Sequence, residues 1–447
     1  MSVDHLALEA LYPSHLREVA LRATQALEAS PYTGLLVHSG ALAETFLDDQ
    51  TYPFRANAPF KAWVPLTDVP DCFVFFEPGV VPLLLFNQPL DYWYKPAALP
   101  QAYWTREFDL RPIRERAAAR NALPADLSRI AYIGEPFAEL ASFAVGAINP
   151  PQLLNPLHFA RACKTPFEIA CLRAANRIGA RGHLAAAAAF DAGAPEFAIQ
   201  LAFLEACELR EQELPYNAIV ALNESGAVLH YQMLERRAPA ERHSLLIDAG
   251  AEFAGYASDI TRTYSHRDAD FAALIGQLDE VQQSLCASVR AGSDWRDIHL
   301  SAHRLLAELL RDADVINVDG EQALATGLSS VFFPHGVGHL LGLQVHDVGG
   351  LMRDAQGGEI PRPEGHPYLR LTRVLEPGFV VTMEPGVYFI PQLLEQARGG
   401  PLAAHINWSR VDSLRKFGGI RIEDDLVTGE QACENLTRDA FKAALVT

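Results

Sequence analysis

Residues 244–265 read SLLIDAGAEFAGYASDITRTYS. Two strand-like runs flank a bend at Gly255-Tyr256, and each carries an aspartate: Asp248 after Leu-Leu-Ile, Asp259 before Ile-Thr-Arg-Thr. The pattern predicts a hairpin that brings the two aspartates side by side on neighbouring strands. A carboxylate in a strand that packs on a core is costly unless it is paired or bound to a cation. Two like charges held that close repel, and a divalent cation removes the conflict.

Working outward, three more groups sit in equally apolar or glycine-rich settings. They are His339 in HGVGHLLGLQVHD (335–347), Glu384 in TMEPGVYF (382–389) and Glu423 in GGIRIED (418–424). One such carboxylate is ordinarily an ion pair or a turn cap. Four with a histidine, and too few basic residues in these motifs to pair them all, point to a metal centre. Oxygen donors with one nitrogen and no thiolate favour Mn²⁺, with Co²⁺ or Zn²⁺ as substitutes. Five side chains suffice for one ion and, with two carboxylates bridging, for two ions roughly 3.5–4 Å apart, a hydrolytic arrangement. His335 and His346 then read as donors to a reacting carbonyl beside the ligand His339. Glycines at 336 and 338 argue against a zinc-protease helix, and Gly342 is out of register for a dinucleotide fingerprint. No GxSxG occurs. Along GGIRIEDD, Ile420 and Ile422 face one way and Arg421, Glu423 and Asp425 the other, which places Arg421 to orient Glu423.

The 447 residues hold 37 Lys plus Arg against 55 Asp plus Glu, a formal charge of −18, which argues against nucleic acid as a partner. Six cysteines without a CxxC pair read as reduced residues of a cytoplasmic protein. The first residues lack a basic-then-apolar leader, and no apolar run approaches the roughly 20 residues that span a bilayer. Up to about residue 150, a helix from Ser14 to about Ser30 and strands in GLLVHSG, CFVFFEPG, VPLLLFN and RIAYIG suggest an α/β unit with a mixed sheet. The proline-rich stretch 148–164 reads as a connection. Thr165-Pro166-Phe167-Glu168 is a capping box opening a helix to about Phe190, and a second helix starts near Pro195. Strands follow, then helices at about 269–290 and 294–311, then strands in FVVTMEPGVYF and GGIRIEDDLV: a duplicated α+β order.

HGVGHLLGLQVHD, TMEPGVYF and GGIRIED, with the DAGAEFAGYASDITRTY hairpin, resemble the metal-dependent pita-bread peptidases, and among them the bacterial Xaa-Pro dipeptidases (prolidases). FLDDQTYPFRANAPFKAWVPLTDVP, YNAIVALNESGAVLHY, PYLRLTRVLEPG and FNQPLDYW extend the likeness nearly end to end. The resemblance implies a creatinase-like mixed α/β domain (1–160) that dimerises and walls the pocket, then a pita-bread catalytic domain (161–447). It implies two divalent metal ions per subunit, one on Asp248, Asp259 and Glu423, the other on Asp259, His339, Glu384 and Glu423. A hydroxide bridging them would attack the Xaa-Pro imide bond, Glu384 shuttling the proton and His346 stabilising the oxyanion, with His335 close by. His230 and Arg370 would line the substrate pocket, Arg370 pairing with the prolyl carboxylate, and Tyr216 would line the same pocket. A homodimer follows, with Asp48 or Asp49 reaching the neighbouring subunit, as does a side activity on organophosphate triesters. Two rivals remain: an Xaa-Pro aminopeptidase, and a metal-free relative acting as a scaffold.

Overall fold

The computed structural model of the protein describes residues 5–446. The N-terminal part holds β1 (Gly34–His38), β2 (Phe73–Phe76), β3 (Leu83–Asn87), β4 (Asp109–Ile113), β5 (Ile130–Ile133) and β6 (Ala147–Ile148). They form one mixed sheet in the order β4-β3-β2-β1-β5-β6. Strict alternation splits the apolar side chains between two cores. Leu35, Val37, Val74, Phe76 and Leu84 enter one, Leu36, Phe73, Phe75 and Leu85 the other. The first of these cores also takes Phe167, Cys171, Tyr256 and Leu343 from the second half of the chain.

Three elements differ from the sequence reading. The first helix runs His5–Glu28, through Pro13, rather than starting at Ser14. A proline inside a helix costs about 3 kcal/mol, but Leu8, Tyr12 and Leu16, one turn apart, are all buried in the same core. The stretch 148–164 contains a helix, Pro151–Arg161. Its prolines hid it, while Leu153 is buried and Leu154 and Leu157 pack on that core. Strand β4, DLRPI, was not expected; its polar, proline-bearing sequence suits the sheet edge it occupies.

The second half opens on the helix Pro166–Asp191, whose capping box is present: the Glu168 amide donates to Thr165 Oγ1 (3.4 Å) and the Thr165 amide to Glu168 Oε2 (2.8 Å). Helix Glu196–Cys207 packs beside it over β7 (Ile219–Leu222) and β8 (Ser244–Asp248). The expected hairpin forms with an added tip. A short ribbon, β9 (Glu252–Phe253) and β10 (Tyr256–Ala257), precedes β11 (Thr261–Ser265), which pairs antiparallel with β8, Asp248 opposite Thr261. Helices Ala269–Ser288 and Trp295–Asp312 repeat the pair. A second ribbon, β12 (Met352–Asp354) and β13 (Gly357–Glu359), leads to β14 (Val380–Met383) and β15 (Gly386–Tyr388). The chain ends in β16 (Gly419–Arg421), β17 (Asp424–Val427), β18 (Glu434–Asn435) and the helix Leu436–Val446. FVVTMEPGVYF and GGIRIEDDLV are thus each two strands. Both break at the same level: Met383 pairs with Asp424 before the break and Gly386 with Arg421 after it. A backbone bridge between Thr261 and Glu423 joins this second set of strands to the first. Helix pair, antiparallel strands, helix pair, antiparallel strands is the pita-bread architecture, following a creatinase-like α/β unit.

Candidate metal centre

The aligned breaks turn Glu384 and Glu423 toward the end of the β8–β11 hairpin. Asp248 is the last residue of β8; Asp259 lies two residues before β11, and its amide donates to Asp425 Oδ2 (3.0 Å). Asp425 is itself held by Asn176 Nδ2 (2.8 Å). His339 is brought in by a close backbone approach: a Cβ on Gly338 would lie 2.1 Å from the Thr382 carbonyl oxygen, so only glycine fits. The His339 ring donates from Nδ1 to the Leu340 carbonyl (3.0 Å), leaving Nε2 aimed at Asp259 Oδ2 (3.4 Å) and Glu384 Oε1 (3.6 Å). Asp259, His339 and Glu423 are buried, and each offers a ligand atom within 4.8 Å of the others. Asp248 and Glu384 line the adjoining cavity. All five predicted metal positions therefore converge.

Charge in this cluster is unbalanced. Burial pushes the Glu423 carboxyl well above its ordinary value, and Asp259, Glu384 and Asp248 add to it. Glu384 is pushed up to about 7 by burial, which outweighs the opposing pull of His339 and Arg421. Asp248 is raised by burial against Arg421. Burial would lower His339, but its contact with Asp259 and the charge of Glu384 outweigh it and raise the ring to about 9. The cluster thus buries more negative charge than its own cations offset, and Asp248 Oδ1 is buried without a hydrogen-bond partner. A divalent cation fits these donors and offsets that charge.

Around the cluster the structure sorts the other expected residues. Arg421 does not reach Glu423 directly. It donates to Asp248 Oδ2 (2.7 Å), Thr261 Oγ1 (3.1 Å) and the Tyr388 hydroxyl (2.8 Å), and Thr261 Oγ1 in turn donates to Glu423 (2.8 Å). Arg421 thus acts on Glu423 through Thr261, and its own carboxylate partner is Asp248; the simple alternation does not run on to Asp425, because the strand breaks between Arg421 and Asp424. Thr261 and Tyr388, missed as functional residues, both sit inside the motifs TRTY and EPGVYF. His335 and His346 are lowered to about 3 by burial and so are neutral. Both nitrogens of His335 are engaged, by the Gly336 carbonyl and the Tyr388 hydroxyl (2.8 Å each), and its ring lies 3.6 Å from Glu384. His346 makes no hydrogen bond to another described residue and packs edge-on to His339, centroids 4.5 Å apart. Its loop is braced from outside: Arg161 and Lys164 both pair with the buried Asp347.

Two cavities meet at the carboxylates. One, of about 450 Å³, is lined by His230, Tyr368 and Arg370 as well as the metal-facing residues. The other, of about 820 Å³, reaches Arg55 and Lys61 of the N-terminal part and shares His230, Asp248, Asp259 and His346 with the first. Tyr216 lines the larger cavity beside the shared Asp248 and Asp259, while Arg370 lines the smaller one. Asp48 and Asp49 lie in an exposed turn and line neither cavity.

The donors, the neutral imidazoles and the cavities define a metallohydrolase. Residues 10–159 match the family model "Xaa-Pro dipeptidase, N-terminal domain" and residues 170–430 that of metallopeptidase family M24. A protein of Stenotrophomonas maltophilia (strain R551-3) named Xaa-Pro dipeptidase is 51% identical over 436 residues, 97% of this chain and 98% of that one. One of Xanthomonas axonopodis pv. citri (strain 306), of the same name, is 48% identical over 98% of this chain and 99% of its own. The chain belongs to metallopeptidase family M24, in the group of the Xaa-Pro dipeptidases. Its fold is that of proline aminopeptidase P II from Yersinia pestis (TM-score 0.71, 23% identity, 97% of this chain and 100% of that one). Escherichia coli aminopeptidase P with the inhibitor Pro-Leu is equally similar (TM-score 0.71, 23% identity, 97% and 99%).

Proposed function

We propose that the chain hydrolyses the imide bond of dipeptides ending in proline or hydroxyproline. The carrying observation is the convergence of four carboxylates and a histidine suited to hold cations on one cavity, in a chain half-identical over nearly its full length to proteins named Xaa-Pro dipeptidase. Asp248, Asp259 and Glu423 would hold one cation, and Asp259, His339, Glu384 and Glu423 a second. Two such ions, Mn²⁺ with Co²⁺ or Zn²⁺ as substitutes, supply Lewis acidity and ionise water near neutral pH. Glu384, raised toward 7, is suited to take a proton from the attacking water and pass it to the prolyl nitrogen. His346, neutral and free of internal bonds, donates to the oxyanion; His335 positions Glu384. Arg370, on the wall of the smaller cavity, takes the prolyl carboxylate with its planar fork, beside His230. Tyr216, beside Asp248 and Asp259 where the two cavities meet, lines the same substrate space.

Residues 1–160 supply the outer wall and a dimer contact, residues 161–447 the catalysis. By its likeness to the Xaa-Pro dipeptidases the protein acts as a homodimer, and its six free cysteines fit the reducing cytoplasm. Organophosphate triesters are slow alternative substrates, since the same attack reaches phosphorus.

Chelated protein assayed on alanyl-proline and on alanyl-prolyl-alanine, with Mn²⁺, Co²⁺ and Zn²⁺ returned separately, tests this reading. Metal-restored cleavage of the dipeptide with little of the tripeptide is expected. Efficient tripeptide cleavage would make it an aminopeptidase, and indifference to metal a scaffold. Arg421→Lys is expected to weaken Mn²⁺ affinity and kcat roughly 10–100-fold, because lysine cannot serve Asp248, Thr261 and Tyr388 at once. Mn²⁺ titration of activity checks this; an unchanged Mn²⁺ midpoint contradicts the positioning role.

A further inference from the structure

A second group of imidazoles lies outside the carboxylate centre. On the helix Trp295–Asp312, His299 and His303 are one turn apart on the same face, and His366 meets them from the loop that carries Tyr368 and Arg370. His299 and His303 are each only 1% exposed. The three rings sit edge-on at centroid distances of 4.5–4.7 Å, and one ring nitrogen of each lies within 4.8 Å of the other two. They border a cavity of about 200 Å³ whose other walls include Phe333, Leu369 and Leu393.

As a plain packing cluster this arrangement is poorly satisfied. His299 Nε2 and His366 Nδ1 share one hydrogen bond (3.0 Å), and His303 Nδ1 is tied to Ser329 Oγ (2.9 Å). His299 Nδ1 and His303 Nε2 are buried with no partner at all. A buried, unpaired polar nitrogen costs about 1–3 kcal/mol. The Ser329 contact is what an imidazole ligand needs: it fixes the ring's second nitrogen and orients the first. Burial lowers all three rings, His299 to about 2 and His303 to about 3, so their lone pairs are available at neutral pH.

We propose that His299, His303 and His366 form a separate cation site for one borderline divalent ion of the Zn²⁺ class. Three nitrogens without a carboxylate select against the oxygen-seeking ions that suit the carboxylate centre, and the cavity leaves a fourth position for water. An ion here fastens the 365–370 loop, and with it Arg370, to the helix 295–312.

Cobalt(II) added to the chelated full-length protein tests the site, because a four-coordinate nitrogen site absorbs visible light far more strongly than a six-coordinate oxygen-rich one. The expected result is an intense band in the unaltered protein that is lost in His366→Gln and kept in Asp259→Asn, with Zn²⁺ displacing it. His366 is half-buried and tolerates the change; should that variant fail to fold, His303→Gln decides in the same way. Absence of the band in the unaltered protein, its persistence in the histidine variant, or its loss in Asp259→Asn overturns the proposal.

Discussion

Replacing Asp259 by asparagine is expected to lower kcat on alanyl-proline by a factor on the order of 10³ or more, with loss of at least one bound metal. Asp259 is the carboxylate assigned to both cations, and it touches His339 at 3.4 Å. Lewis-acid stabilisation of this kind supplies several kcal/mol, and each 1.36 kcal/mol is tenfold in rate. Folding should survive, because the residue's backbone amide stays bonded to Asp425. Turnover at saturating Mn²⁺, elemental analysis and a thermal melt measure the three parts. A variant that keeps both ions and a tenth of the rate contradicts the assignment of Asp259 to both cations.

Asp424→Ala is expected to cost about 3 kcal/mol of stability. Asp424 is fully buried between Arg262 Nη2 (2.7 Å), Arg438 Nε (2.7 Å) and Asn435 Nδ2 (2.9 Å). Without it Arg262 loses its carboxylate and Arg438 keeps Asp279 and the Gln282 side-chain oxygen. Burial alone would raise the carboxyl, but the two arginines outweigh it and hold it at about 2, below its ordinary 3.8. A folded-state value below the unfolded one stabilises the charged form. That contribution is complete above about pH 4 and is lost as pH falls toward 2. Urea unfolding at pH 7 and at pH 3 should show the gap between the parent and Asp424→Ala narrowing in acid; a gap independent of pH contradicts it.

The five side chains that meet at the cavity were legible in the sequence because each has an unusual neighbour. Gly338 is required for the approach to Thr382, Pro385 for the strand break, and apolar residues frame every carboxylate. The capping box and both helix pairs were legible for similar reasons of local chemistry. What escaped depends on contacts between distant segments. Helix Pro151–Arg161 is held by packing that outweighs its prolines, and β4 exists because the sheet has an edge to fill. Arg421 chose Asp248 because the β15–β16 pair docks on the end of the hairpin. His299 and His303, four residues apart on one helix, share a face by spacing alone, but nothing local signals that His366, 67 residues on from His299, meets them.

Three acids in a row, Glu423, Asp424 and Asp425, point in three directions: to the cavity, to a pair of arginines and to the Asp259 amide. On the proposed function, catalysis, folding strength and ligand placement thereby fall to consecutive letters of one short segment. Deleting a single residue from 419–422 would slide the triplet along its partner strand and hand each acid its neighbour's task. Length in this stretch is therefore constrained more tightly than chemical identity, and a frame-preserving insertion there should be far more damaging than a conservative exchange.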